Sequence, residues 1–298
     1  RTSLAVAHMA QGDVATATAE LERISSDDKG IAADGALIAT YLRRNELDKA
    51  LAAIDTVQKK QPDNPTTYNL RGRILVAKKD TAGARKSFEK AVALNPSYMS
   101  AVASLASMDM AENKPDDARK RFETVLSSNP KNSTALLALA KLTLATGGKP
   151  EDALALITRA VSGNPSEVRP RLALIELHLA NKEPKKAASA AQEALATIPD
   201  KPELLNAAGA AQYLSGDVNQ ALATYAKLAT LQPGSPLAQM RIAEIQLAQK
   251  NTDEAAKSLR KALEIKPDLL EAQRGLILLA LATGKTADAL AIARNVQK

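Results

Sequence analysis

Few residues of this chain have the types and spacing that chemistry requires. Gly284-Lys285-Thr286 has the composition of the end of a phosphate-binding loop, whose backbone N–H groups and lysine hold the phosphates. That loop needs another glycine five residues before Gly284, and Leu279 stands there. The two histidines, His8 and His178, lie 170 residues apart, and neither has the spacing of a metal pair. With no cysteine, the chain has no disulfides, thiolate metal sites or cysteine nucleophiles. A Ser-His-Asp site needs a strained loop to present its nucleophile, and alanine-rich helix pairs offer none. No catalytic, cofactor-binding or metal-ligating residue is therefore expected, and function has to come from a surface.

The elements that build this surface are set by a period. Pro62, Pro96, Pro130, Pro165, Pro199, Pro233 and Pro267 follow one another at intervals of 34 residues, with a single interval of 35. An alanine precedes each by twelve residues, at Ala50, Ala84, Ala118, Ala153, Ala187, Ala221 and Ala255, and the alanine series runs on to Ala289. Two residue types locked to one period define a repeat array, in which each unit buries its apolar face against its neighbours.

With the proline at position 32, the units run 31–64, 65–98, 99–132, 133–167, 168–201, 202–235 and 236–269. Partial units fill 1–30 and 270–298. Each unit carries two apolar-periodic stretches around a polar turn, a helix-turn-helix pattern. In 65–98, Tyr68, Gly72, Leu75 and Val76 line the first helix and Ala84, Phe88, Ala91 and Leu94 the second. The turns fall at Asn45-Glu46, Lys79-Asp80, Asn113-Lys114, Gly148-Lys149, Lys182-Glu183, Gly216-Asp217, Lys250-Asn251 and Gly284-Lys285, with Gly12-Asp13 in the partial first unit. Gly147-Gly148 is where the extra residue of the 35-residue unit is absorbed. Pro65, Pro202 and Pro236 suit the first position of a helix. No run of 18 or more apolar residues suggests a membrane span. Leu4 to Gln11 already read as mid-helix and the last unit stops at Lys298 before its proline, so a fragment of a longer array is expected.

A net charge of +7 invites a nucleic-acid reading, and the placement of the charges decides it. Arg85, Lys86, Lys90, Arg119, Lys120, Arg121, Lys185, Lys186, Lys257, Arg260 and Lys261 fall on second helices. Asp116, Asp117 and Asp253 precede Lys120, Arg121 and Lys257 by one turn, the spacing of a solvated helix. With two Phe, five Tyr and no Trp, there is little aromatic surface for stacking bases.

The pattern resembles the tetratricopeptide repeat, with large apolar residues at positions 4, 7, 11 and 24, small ones at 8, 20 and 27, and proline at 32. Position 8 conforms at Gly72, Ala106, Ala140, Gly209 and Ala243 but departs at Ile38, Ile175 and Ile277. Position 11 conforms at Tyr41 and departs at Asp109, Thr143, His178, Gln212 and Gln246. The resemblance implies an all-α, right-handed superhelical solenoid of antiparallel helix pairs over 1–298, with first helices lining the concave face. The partner-binding candidates there are Asn69, Arg73, Ser104, Lys141, Arg169, Glu176, Asn206, Tyr213, Arg241, Glu244 and Arg274, a mixed set suited to a partner peptide or helix. No three consecutive units supply the carboxylate clamp of chaperone-binding members.

Stretches such as Phe88-Glu89-Lys90-Ala91-Val92-Ala93-Leu94-Asn95-Pro96 are similar to the lipid-anchored repeat proteins of the bacterial exosortase (PEP-CTERM) and exopolysaccharide system. This likeness implies a non-enzymatic periplasmic scaffold tethered to the outer membrane through an N-terminal anchor. A cytoplasmic adaptor or regulator and an RNA-binding superhelix are the alternatives.

Overall fold

The computed structural model describes residues 2–10 and 13–296, so Gly12 of the expected first turn lies outside the described residues. The chain is an all-α array of tandem helix pairs, and its helices group into two compact units, Arg1–Gly147 and Gly148–Lys298. The first unit holds α1 (Thr2–Ala10), α2 (Val14–Asp27), α3 (Ala32–Arg43), α4 (Leu47–Lys60), α5 (Pro65–Ala77), α6 (Thr81–Leu94), α7 (Met99–Ala111), α8 (Pro115–Ser128) and α9 (Ser133–Ala145). The second holds α10 (Pro150–Gly163), α11 (Val168–Ala180), α12 (Pro184–Thr197), α13 (Pro202–Ser215), α14 (Val218–Leu231), α15 (Leu237–Ala248), α16 (Thr252–Ile265), α17 (Leu270–Ala282) and α18 (Thr286–Val296). In both, consecutive helices pack on each other, and first helices of adjacent repeats touch at α1 with α3, α7 with α9 and α11 with α13. Among the described residues no helix is long and apolar enough to cross a membrane.

The prolines act where their chemistry requires. Each stands two residues beyond a second helix, as Pro96 does after Leu94 and Pro233 after Leu231. Proline forces its predecessor out of the helical region, and the residues before it have left that region, with ψ of 98° at Asn95 and 65° at Gln232. Pro65 and Pro202 occupy the first helical position, but Pro236 caps α15 one residue earlier than expected. The periodic alanines from Ala50 to Ala255 are fully buried, so each marks a place where two helix backbones approach too closely for a larger side chain.

The turns inside the pairs share one hydrogen-bond scheme. At Asn45 the N–H donates to the Leu42 carbonyl at 3.1 Å, and the Glu46 N–H reaches back to Tyr41 at 2.8 Å. The same double closure recurs at Lys79-Asp80, Asn113-Lys114, Lys182-Glu183, Gly216-Asp217, Lys250-Asn251 and Gly284-Lys285. It requires a left-handed residue just past the helix, and φ there is 57° at Asn45, 64° at Lys79 and 59° at Lys182. In the 35-residue unit the left-handed residue is Gly147, one position before the expected Gly148-Lys149 turn. The link from α9 to α10 takes up the added residue, and α9 and α10 keep the lengths of α7 and α8, 13 and 14 residues.

A side chain beyond glycine is disfavoured in this left-handed conformation by about 1–2 kcal/mol, partly offset by the freedom that glycine adds to the unfolded chain. Replacing Lys79, Lys182 and Lys250 together by Gly should therefore raise stability by about 1–2 kcal/mol. A higher urea midpoint with an unchanged slope is the expected reading.

Candidate functional site

The partner-binding candidates lie on first helices because positions 2, 5, 6, 9, 12 and 13 share the side of the helix turned from its own pair partner. In the first unit, Arg73 on α5 and Lys141 on α9 are exposed, and neither has a hydrogen bond or ion pair among the described residues. Ser104 is half-buried, and its Oγ donates back to the Ser100 carbonyl at 2.9 Å. Asn69 is not part of the solvent-facing set. Its side chain packs into α5's surroundings at 6% exposure, with Oδ1 lacking a partner among the described residues.

In the second unit, Arg169, Glu176, Glu244 and Arg274 are exposed, while Asn206, Tyr213 and Arg241 are half-buried. Arg241 donates to Glu244 at 2.8 Å, a hydrogen bond that raises its pKa further against the opposing effect of burial. The Tyr225 hydroxyl donates to the Asn206 carbonyl at 3.4 Å, which fixes that stretch of α13. Burial pushes the Tyr225 phenol up, and the nearby Arg241 charge only partly counters it.

Sequence reasoning named only Tyr213 as a candidate from an apolar row on these same helices. Position 12 carries Leu42, Val76, Met110 and Leu144 in the first unit, and Leu179, Tyr213, Leu247 and Leu281 in the second. Val76 is 51% exposed, Leu144 41% and Leu281 52%. The row has the same period as the prolines, so the signal was present. Apolar side chains at a repeat position suggest packing, and Leu42, Met110, Leu179 and Tyr213 are half-buried, whereas Val76, Leu144, Leu247 and Leu281 have solvent in front of them.

The charges of the second helices are partly diverted inward. Arg121 does not simply face solvent one turn from Asp117; it binds Asp109 on α7, which also accepts from Arg85 at 2.7 Å. Lys257 pairs with Glu254 at 2.6 Å rather than with Asp253. His178 lies 2.9 Å from Glu183 through Nδ1, and His8 is 3.8 Å from Glu20. Among the described residues no group of three potential metal ligands converges.

Two models of the tetratricopeptide repeat match the chain, one over residues 75–142 and 144–211 and the other over 36–98 and 206–269. Together they take in 36–142 and 144–269. Comparison with curated proteins gives no match. The C-terminal part of a TPR repeat-containing protein from Cytophaga hutchinsonii is similar in fold at 16% identity and a TM-score of 0.55, covering 80% of this chain and 98% of that one. A tetratricopeptide repeat protein from Parabacteroides merdae is 19% identical with a TM-score of 0.48, covering 88% of this chain and 98% of that one. YrrB, described as a TPR protein with an unusual peptide-binding site, is 19% identical with a TM-score of 0.46, covering 67% and 99%. Proteins built from these repeats are generally scaffolds for protein partners and typically non-enzymatic. The period, the buried alanines, the shared turn closure and the matching models lead to one conclusion: the chain belongs to the tetratricopeptide repeat family.

Proposed function

We propose that the chain is a non-enzymatic scaffold that holds a peptide or helix of a protein partner against its first helices. The observation that carries this reading is the row at position 12, where two apolar side chains in each unit, Val76 and Leu144 in the first and Leu247 and Leu281 in the second, face solvent among polar neighbours. Isolated exposed leucines are ordinary, but a periodic series rimmed by polar groups is the form of a docking surface. Photocrosslinkers at Val76, Leu144 and Leu247 should trap a protein in the native cell, while those at Lys86 and Lys120 on second helices should not. Crosslinks confined to the second helices would reject the reading.

The finer part of the proposal places this scaffold in a bacterial cell envelope, in exosortase-type sorting or exopolysaccharide assembly, periplasmic and tethered at the outer membrane. The Phe88 to Pro96 stretch and a chain without cysteine support it. Fractionating the full-length gene product after labelling with a fatty-acid analogue tests it. A lipid-labelled membrane fraction is expected, and an unlabelled cytoplasmic protein would leave the cytoplasmic adaptor in its place.

A further inference from the structure

The first helices of the two units differ in charge in a way that the repeat pattern does not require. In the second unit each first helix carries one exposed carboxylate: Glu176 on α11, Glu203 on α13, Glu244 on α15 and Glu271 on α17. In the first unit α1, α5 and α9 have no acidic residue, and the single ones of α3 and α7, Asp34 and Asp109, are buried at 0% and 2% exposure. Both are consumed internally, Asp34 by Lys60 at 2.7 Å and Asp109 by Arg85 and Arg121. At the adjoining turns Glu46 is held by Arg44 and Lys49, Glu112 by Arg85 and Lys114, and the exposed Asp80 caps α6 by accepting from the Gly83 N–H at 2.9 Å. What remains is the pair of exposed, unpaired cations Arg73 and Lys141.

Each of those cations sits one helical turn before an exposed apolar residue on the same side, Arg73 before Val76 and Lys141 before Leu144, with Met110 between them on α7. From this complementarity we propose that the first-helix face of the unit Arg1–Gly147 docks an acidic segment of a protein partner that also carries apolar side chains. The inference rests on the scaffold reading above and assigns it a partner chemistry and a place. Arg73 and Lys141 belong to repeats two apart; with about 10 Å between neighbouring first helices, about 20 Å separates them. An extended segment of roughly six residues spans that distance at about 3.3 Å per residue, with carboxylates at its ends and apolar side chains over the row. Nucleic acid fits less well, because two free cations neutralise few phosphates and a sugar-phosphate backbone leaves the apolar row uncovered.

The test is selection of a random-peptide display library on the full chain. Enrichment of peptides combining Asp or Glu with Leu, Ile, Val or Phe is expected. Their affinity should fall at least about tenfold in Arg73→Glu/Lys141→Glu, where attraction is replaced by like-charge contact. Lys86→Glu/Lys120→Glu, the same charge change on second helices, should leave it within about twofold, since exposed charges at a distance are screened. Circular dichroism of both variants checks that the fold persists. Enriched peptides with no acidic excess, or equal weakening by both variants, would overturn this inference and leave the scaffold reading standing. Enrichment of no peptide at all would sink both. Tighter binding of poly(U) RNA than of any selected peptide, lost in Arg73→Glu/Lys141→Glu, would give the face to nucleic acid and reject the proposal.

Discussion

Gly72→Ile and Phe88→Ala should each destabilise the protein severely, and together they should restore most of what each loses alone. A Cβ on residue 72 would lie 2.5 Å from Phe88 Cε1, 2.7 Å from Cδ1 and 2.8 Å from Cζ, so the ring occupies the space a side chain would need. Phe88 is 2% exposed and has nowhere to go. Gly72→Ile alone overpacks this contact at a cost of about 3 kcal/mol or more, while Phe88→Ala alone empties it at about 3–5 kcal/mol. The double variant copies an arrangement the chain already uses, since α11 and α12 carry Ile175 and Ala191 at the same two positions, both fully buried in one cluster. It should cost about 1–2 kcal/mol, against the roughly 6 or more that independent effects would sum to. Urea midpoints for the four proteins of the cycle, read at constant slope, decide it. Additive losses would mean that positions 8 and 24 are not compensating.

This exchange also shows what was and was not legible in the sequence. The prolines and alanines announced themselves because each imposes a constraint with one local solution: an ended helix, or a close approach of two backbones. Two of the departures at position 8, Ile175 and Ile277, looked like weakening of the pattern, yet each is half of a volume balance whose other half lies 16 residues on; Ile38 is not, since the large Ile54 holds position 24 of its repeat. Gly72 faces Phe88 and Gly209 faces Tyr225, whereas Ile175 is matched with Ala191 and Ile277 with Ala293. Position 11 has the same logic in polar form. Gln212 accepts from Thr224 at 2.7 Å and Gln246 from Ser258 at 2.8 Å, each partner twelve residues along on the second helix. Pairings at such separations join two helix faces and are invisible to a period that compares each position only with itself. Asn69 and Arg73 make the point for the candidate site. Both satisfy the first-helix register, but one is buried and the other exposed, because exposure depends on the side chains of neighbouring helices.

Asp109 fills position 11 of its repeat with a charge, and acid should reveal it. Its carboxylate, 2% exposed, accepts from Arg85 on the preceding pair and from Arg121 on its own second helix, tying α6, α7 and α8 together. Burial alone would push this carboxyl up, but the hydrogen bonds and charges of Arg121 and Arg85 outweigh it and hold the group below the usual aspartate range. A carboxyl depressed in the folded state contributes its stability above the unfolded value of about 3.9 and loses it as pH falls through the folded value. Asp109→Ala should therefore cost about 2–3 kcal/mol at neutral pH, less than the roughly 3–5 of a fully buried broken pair, because Arg85 and Arg121 keep 23% and 26% of their side-chain surface in solvent. The variant should also lose less of its remaining stability than the wild type on acidification below about pH 4. Asp109→Gln/Arg121→Ser transplants the Gln246–Ser258 bond, and Arg85 retains Glu112 at 2.7 Å. This pair should come within about 1 kcal/mol of the wild type, the scale of one neutral hydrogen bond, while Asp109→Gln alone strands Arg121 and remains well below. If the single and double variants unfold at the same urea concentration, the stranded guanidinium is not what makes loss of the carboxylate costly, and position 11 tolerates a charge for some other reason than its partner at position 23.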